Sequence, residues 1–390
     1  MKKRKMAWLA GALAAAVWTA GLAAFAAQPG AFDGEGWERE LPAKAVILME
    51  AESGRVLCGK EIHTRLPMAS TTKIMTTLLA LEQPGQEEWF TVDAQAIQTE
   101  GSSMGLQEGD RVTLQALSYG MILPSGNDAA NAAAVRISGS IPAFVERMNQ
   151  RARELGLADT HYQNPSGLDA EGHYSSAYDL ARLTRTALQV PQFAEICRQS
   201  SAKVCFGNPP YDRWLKNHNR LLELYPNAIG VKTGYTEDAY RCLVSASEKD
   251  GVTLICVTLN CAGDWELHEQ LYEEFFPQIT MTELALEGEE TAPAAGDKST
   301  PEALPLRLGA SGRYPLLPGE RIESQLLCPP VVAAPVYEGQ PLGQAQFWAV
   351  DPQGRRGTAV QLPLAAAQSL EIDDPRTGGL IDRLLAYALQ

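Results

Sequence analysis

The stretch Pro67-Met68-Ala69-Ser70-Thr71-Thr72-Lys73-Ile74-Met75-Thr76 sets a hydroxyl and an amine three residues apart at the head of an apolar periodicity. Ile74, Met75, Leu78, Leu79 and Leu81 recur at helical spacing, which predicts a helix starting at or just before Ser70. Residues i and i+3 of a helix share a face, so the Lys73 amine can reach the Ser70 hydroxyl. A serine hydroxyl becomes a nucleophile only when a neighbouring base takes its proton, and a lysine can be that base if burial or a second cation depresses its pKa. A helix N-terminus adds unpaired N–H groups and positive potential that stabilise an oxyanion. Spacing alone is weak evidence, because at ordinary residue usage a chain of this length contains about one such S-x-x-K by chance. A second copy, Ser200-Ser201-Ala202-Lys203, is in fact present. It reads as incidental: it follows a predicted helix end, and no S-x-N lies between it and the lysine motif further on.

Downstream of the first copy, Ser125-Gly126-Asn127 falls in a loop between two predicted helices. There a hydroxyl could relay a proton, and an amide could hold both a substrate carbonyl and Lys73. Taken alone, the same residues read more readily as a helix N-cap, for which Ser and Asn are preferred. Lys232-Thr233-Gly234 lies inside a β-type run. A strand lysine and hydroxyl beside a groove suit an anionic substrate terminus, and glycine lets a ligand backbone approach; alone, the lysine could simply be a solvated edge residue. The ordered trio is far rarer by chance than any one of its members.

Around these motifs the chain reads as α+β. Ala45–Glu50 and Arg55–Cys58 are strands about a turn at Glu52-Ser53-Gly54. Helices are expected over Thr113–Leu123, Asp128–Ile137, Pro142–Leu155 and Ser176–Leu188, with Gly, Pro, Asn and Ser clusters between them. Ile229–Tyr235, Cys242–Ser247 and Thr253–Asn260 are strands, the last two joined by a Lys249-Asp250-Gly251 hairpin turn, and a helix follows over Asp264–Phe276. First and last strands are expected to share one antiparallel sheet with a helical subdomain, in a catalytic domain spanning residues 40–278. A small β-rich domain is expected over 279–372. Residues 376–390 carry an apolar stripe, Leu380, Ile381, Leu384, Leu385, Ala388 and Leu389, suited to a helix on a membrane surface or to one docked on the protein's own domain.

The chain has 390 residues with 33 basic and 47 acidic side chains, a net charge of −14. That sign excludes a protein that works by neutralising nucleic-acid phosphates. Lys2, Lys3, Arg4 and Lys5 precede an uncharged run from Met6 to Ala27 that includes Ala24-Phe25-Ala26, the pattern of a secretory signal over residues 1–26, with an uncleaved anchor helix as the alternative. The expected location is therefore outside the cytoplasm, at the outer face of the cytoplasmic membrane. Seven cysteines cannot all pair within one chain and show no zinc spacing; Cys197 and Cys205 are the one pair suspected of bridging. The five histidines (63, 161, 173, 218 and 268) show no metal motif and read as solvated or capping residues. No cofactor and no metal is expected.

S-x-x-K, S-x-N and K-T-G in this order mark the penicillin-recognising serine enzymes. The text around them, Ser125-Gly126-Asn127-Asp128-Ala129-Ala130, Asn164-Pro165-Ser166-Gly167-Leu168-Asp169, Ser176-Ala177-Tyr178-Asp179-Leu180 and Gly230-Val231-Lys232-Thr233-Gly234-Tyr235-Thr236, resembles the low-molecular-mass D-alanyl-D-alanine carboxypeptidases over roughly residues 40–280. The resemblance implies a β-lactamase/transpeptidase-like fold and a serine peptidase acting on peptidoglycan stem peptides that end in D-Ala-D-Ala, with β-lactams as covalent inhibitors. It implies Ser70 as nucleophile, Lys73 as base, Ser125 as proton relay and Asn127 as positioning amide. Lys232 and Thr233 would hold the terminal carboxylate, Gly234 would admit the substrate, and the N–H groups of Ser70 and Tyr235 would form the oxyanion hole. The chain departs from the family at Ala239-Tyr240-Arg241, where many members have Ala-Gly-Tyr, and between Cys261 and His268, which lack an arginine that many members carry. Two alternatives are a β-lactamase of the same fold and a non-catalytic envelope protein. The β-lactamase would need a glutamate that the Asn164–Leu168 loop does not contain; the intact trio argues against the envelope protein.

Overall fold

A computed structural model describes residues 41–285, 288, 290–296, 304–329, 331–332 and 335–370. The expected signal and the expected C-terminal helix lie outside the described residues. By internal contact the chain forms two units: among the described residues, 41–51 with 56–276, and 52–55 with 277–370.

The first unit is built on a five-stranded antiparallel sheet of order β2-β1-β9-β8-β7. Its strands are β1 (Ala43–Glu50), β2 (Val56–Lys60), β7 (Ala228–Thr236), β8 (Tyr240–Lys249) and β9 (Val252–Cys261). The N-terminal hairpin and the C-terminal hairpin thus join in one sheet, with Ile47 opposite Val257 and Val244 opposite Val257 on its other side. Asp250 and Gly251 both take positive φ in the β8–β9 turn, which matches the twist of a two-residue hairpin. β7 closes the sheet at one end, and this places Lys232-Thr233-Gly234 on an edge strand.

One face of the sheet packs on the helices α1 (Lys73–Leu81), α2 (Leu114–Ile122), α3 (Asn127–Ser138), α4 (Ile141–Glu154), α5 (Ala177–Leu188) and α6 (Pro191–Arg198). Local chemistry starts them: Thr113, Ser140 and Ser176 accept from the backbone N–H three residues on, and Pro142 stands in the first turn of α4. α1 is buried on every face, so it forms the centre of the helical layer. α6, the short α7 (Leu221–Leu224), and the small sheet β3 (Phe90–Thr91), β4 (Arg111–Val112), β5 (Ser201–Gly207) and β6 (Pro210–Lys216) are elements the sequence pattern leaves unassigned.

α8 (Asp264–Phe275) covers the other face through a buried polar network. His268 meets Ser245 Oγ at 2.6 Å through Nδ1 and Thr258 Oγ1 at 2.9 Å through Nε2, and Ser245 also meets the Tyr272 hydroxyl at 2.6 Å. Burial pushes the His268 pKa down to about 3. The expectation of solvated histidines fails here and at His173, because each finds polar partners inside the fold. The suspected Cys197–Cys205 bridge is also absent. Cys197 is buried in α6, Cys205 is exposed on β5, and all seven thiols are free.

The second unit is β-rich: a sheet of order β14-β16-β17-β12-β11-β15 and a pair β10-β13. These are β10 (Thr280–Ala285), β11 (Glu290–Gly296), β12 (Leu304–Leu308), β13 (Gly312–Leu316), β14 (Arg321–Leu327), β15 (Val331–Val332), β16 (Pro341–Val350) and β17 (Val360–Ala366). Leu304, Leu306 and Leu308 alternate inward to meet Ala345, Leu364 and Ala366 in its core. No helix among the described residues is long and apolar enough to cross a membrane.

Candidate active site

Ser70 sits in a 3-10 turn, Ala69–Thr72, that runs into α1. Lys73 therefore begins the α-helix proper, and the serine projects from the tighter turn ahead of it. Ala69 takes a φ of +48°, uncommon for a residue with a Cβ, so something must hold this turn. Two side chains bond back into it, Thr71 Oγ1 to the Met68 carbonyl at 2.7 Å and Thr72 Oγ1 to the Ala69 carbonyl at 2.8 Å.

The Lys73 amine is wholly buried and has three oxygen neighbours: Ser70 Oγ at 2.8 Å, Asn127 Oδ1 at 2.7 Å and the Ser166 carbonyl at 2.6 Å. The last two are pure acceptors. A neutral amine has two protons to give them, which leaves its lone pair for the Ser70 hydroxyl. Burial, and next the Lys232 cation, lower the Lys73 pKa well below the ordinary lysine range, while Asp128 opposes them.

Asn127 opens α3, yet the helix is capped by Gly126 and receives no side-chain cap bond. The N-cap alternative therefore fails for both Ser125 and Asn127. The Asn127 amide is oriented instead by the Glu100 carbonyl, which accepts from Nδ2 at 2.7 Å and turns Oδ1 toward Lys73. Asp128 pins the strand-less segment beside it. Its carboxylate accepts from Ser103 Oγ and from the N–H groups of Met104, Gly105, Leu106 and Ala129. Ser125 is buried in the turn before α3, at a φ of +62°.

Lys232 is 1% exposed, so it is no solvated edge lysine. Burial brings its pKa down to about 7, and its Nζ donates to the Thr233 carbonyl at 2.8 Å. Gly234 is where β7 touches the serine turn: a Cβ there would stand 3.1 Å from Ser70 N and 3.0 Å from Ala69 Cβ. Tyr235 follows, exposed, in register with Arg241 on β8. Arg241, at the departure from the family pattern, is bound to Asp264 and lies over the Trp265 ring. Of the eight candidate residues, Ser70, Lys73 and Asn127 are thus in direct contact and Gly234 packs on Ser70. Ser125 and Lys232 are buried, and Thr233 and Tyr235 share the edge strand with Lys232.

The profile of the D-alanyl-D-alanine carboxypeptidase family matches residues 33–263. The chain belongs to that family. It is 33% identical over 321 residues to the D-alanyl-D-alanine carboxypeptidase DacF of Bacillus subtilis, covering 77% of this chain and 80% of the relative. It is also 30% identical to Escherichia coli DacC over 89% of this chain and 88% of that one. Among solved structures, penicillin binding protein 5 of Haemophilus influenzae superposes with a TM-score of 0.73 over 85% of this chain and 98% of that chain, at 24% identity, a likeness of fold. A Mycobacterium tuberculosis D-alanyl-D-alanine carboxypeptidase gives 0.58 at 33% identity, over 61% of this chain and 92% of that chain.

This carboxypeptidase also uses residues that the motif reading passed over. The segment 163–173 runs as a belt beneath the serine turn. Besides Ser166, the Pro165 carbonyl accepts from Thr76 Oγ1 at 2.6 Å, and His173 Nε2 meets Thr72 Oγ1 at 2.8 Å. Asn164 shapes the belt, accepting from the N–H groups of Ser166 and Gly167 and donating to the Leu168 carbonyl. Gly167, at φ +89°, is required by close approach: a Cβ there would stand 2.0 Å from the Ala69 carbonyl oxygen. Nothing in the residue types of this segment announces contact with Lys73; that contact exists only in the folded chain.

Proposed function

We propose that this carboxypeptidase removes the terminal D-alanine of peptidoglycan stem pentapeptides through an acyl-enzyme on Ser70. The observation that carries the reading is the surroundings of Lys73 Nζ, two pure acceptors and one serine hydroxyl around a buried amine. In the first half-reaction the Ser70 proton passes to Lys73 as Oγ bonds to the carbonyl carbon of the penultimate D-alanine. The oxyanion lies against the N–H groups of Ser70 and Tyr235. As the C–N bond breaks, the departing amine takes the proton from Lys73 by way of the Ser125 hydroxyl. Water then repeats the sequence on the ester: its proton goes to Lys73, the ester C–O bond breaks, and Ser70 recovers its hydrogen. Lys232 and Thr233 hold the terminal carboxylate, and Asn127 keeps Lys73 in line.

β-Lactams enter by the same serine and base, so the two substrates differ on exit. A peptidyl ester has lost D-alanine and is open to water, whereas a penicilloyl ester keeps its thiazolidine ring over the site. Fast release would need a carboxylate base in the Asn164–Leu168 loop, and what that loop turns to Lys73 is the Ser166 carbonyl. The penicilloyl adduct is therefore long-lived. We place the enzyme outside the cytoplasm, on the basic and then uncharged N-terminus, with residues 376–390 resting on the membrane surface.

Labelling with a fluorescent penicillin, with peptide mapping of the adduct in wild type and Ser70→Ala, tests the nucleophile. The adduct is expected on Ser70 alone; labelling that survives Ser70→Ala would sink the assignment. Nitrocefin turnover faster than D-alanine release would make the protein a β-lactamase instead. Equal liposome flotation with and without residues 376–390 would remove the anchor.

A further inference from the structure

His173 stands outside the three motifs, buried, with its ring edge-on to Tyr162 at 5.9 Å. Its hydrogen bonds determine its tautomer. The Gln163 N–H, which can only donate, approaches Nδ1 at 2.9 Å, so Nδ1 is the bare nitrogen and the proton is on Nε2. Nε2–H then donates to Thr72 Oγ1 at 2.8 Å, and the Thr72 hydroxyl, its lone pair used, donates onward to the Ala69 carbonyl at 2.8 Å. The chain of donors runs one way, from the belt into the carbonyl of the residue that precedes Ser70. That residue is the one held at φ +48°. Burial, with His161 and Lys73 adding to it against Asp169, keeps the His173 pKa near 4, so the neutral ring is the working form.

We propose that His173 is a positioning residue for acylation: through Thr72 it fixes the peptide plane of Ala69, and so aims the Ser70 N–H at the oxyanion. Rotating that plane costs one of the two oxyanion donors while leaving the Lys73 contacts and the carboxylate site in place. The effect falls on kcat and on acylation rather than on KM. The proposal rests on Ser70 being the acylated nucleophile.

The test uses wild type, His173→Phe, which keeps an aromatic ring without a donor, and His173→Gln, whose side-chain amide can supply a donor near the Nε2 position. Single-turnover acylation by a fluorescent penicillin, kcat and KM for D-alanine release, and thermal unfolding are measured for each. His173→Phe is expected to lower kcat and the acylation rate by about ten- to a hundredfold with KM within about threefold of wild type; His173→Gln recovers most of the loss. Wild-type acylation in His173→Phe overturns the proposal, as does an equal loss in both variants when both unfold at the wild-type temperature. If His173→Phe does not fold, Thr72→Val against Thr72→Ser decides: the proposal requires Thr72→Ser to react like wild type and Thr72→Val to be slow, and equal rates overturn it. An adduct on a residue other than Ser70 in the wild type defeats the reading of the site itself, whereas an adduct on Ser70 at an unchanged rate defeats only the role of His173.

Discussion

Lys73 Nζ stands 2.7 Å from Asn127 Oδ1, and the other end of the same amide is tied to the Glu100 carbonyl. The asparagine therefore cannot flip without losing one bond at each end, and it holds the Lys73 amine, whose pKa burial and the Lys232 cation lower, against the Ser70 hydroxyl. Asn127→Ala should lower the single-turnover acylation rate roughly a hundredfold, about 2.7 kcal/mol of transition-state stabilisation. Asn127→Asp should be slower still at neutral pH, because a carboxylate at that distance favours the protonated amine. Wild-type acylation in Asn127→Ala would count against the arrangement.

Lys232 acts on Lys73 through its charge. With the cation gone, the Lys73 pKa rises, so the acid limb of the penicillin acylation profile should move to higher pH in Lys232→Gln. In the wild type, Lys232 itself loses its proton as pH rises through about 7, and kcat/KM for the peptide should fall there as the carboxylate loses its partner. Rates measured from pH 5 to 9 on both proteins test the two statements together; an acid limb that stays put in the variant contradicts the first.

The belt can be tested by adding a single carbon. Gly167→Ala puts a Cβ 2.0 Å from the Ala69 carbonyl oxygen and 2.5 Å from its carbon, so either the belt or the serine turn must move. A loss of about 2–4 kcal/mol and much slower acylation are expected. Gly139→Ala is the control: Gly139 also has positive φ, at the C-terminus of α3, but a Cβ there meets nothing within 4 Å. It should cost only about 1 kcal/mol and leave acylation unchanged.

His268 makes stability depend on pH. Its folded pKa, about 3, lies below the ordinary 6.5, so the unfolded chain takes up the proton first. Its contribution is complete above pH 6.5 and is lost as pH falls toward about 3, on the order of 5 kcal/mol across the window. Denaturant unfolding at pH 7, 5 and 4 should show a shallower acid loss in His268→Leu than in wild type, even though the variant starts less stable at pH 7. Parallel curves would mean that the ring is not buried neutral.

The β-rich character of the second unit, the helices from Leu114 to Leu188 and the β8–β9 hairpin were legible because each follows from local rules: period, caps and turn residues. The order Ser70, Lys73, Ser125, Asn127, Lys232 was legible as chemistry for the same reason, since the residue types declare what they can do. Spacing along the chain could not say whether Lys73 would be neutral, because that depends on burial and on a second lysine delivered by β7. Nor could it separate Asn127 the helix cap from Asn127 the lysine holder; the Glu100 carbonyl, 27 residues away, decided that. The β5–β6 hairpin escaped notice because Pro210, the charged Asp212 and Arg213, and the exposed Trp214 break the apolar alternation that signals a strand. Residues 163–173 and His173 belong to the same class. Their roles come from bonds to a turn about a hundred residues earlier, and only the folded chain brings those atoms to 2.8 Å.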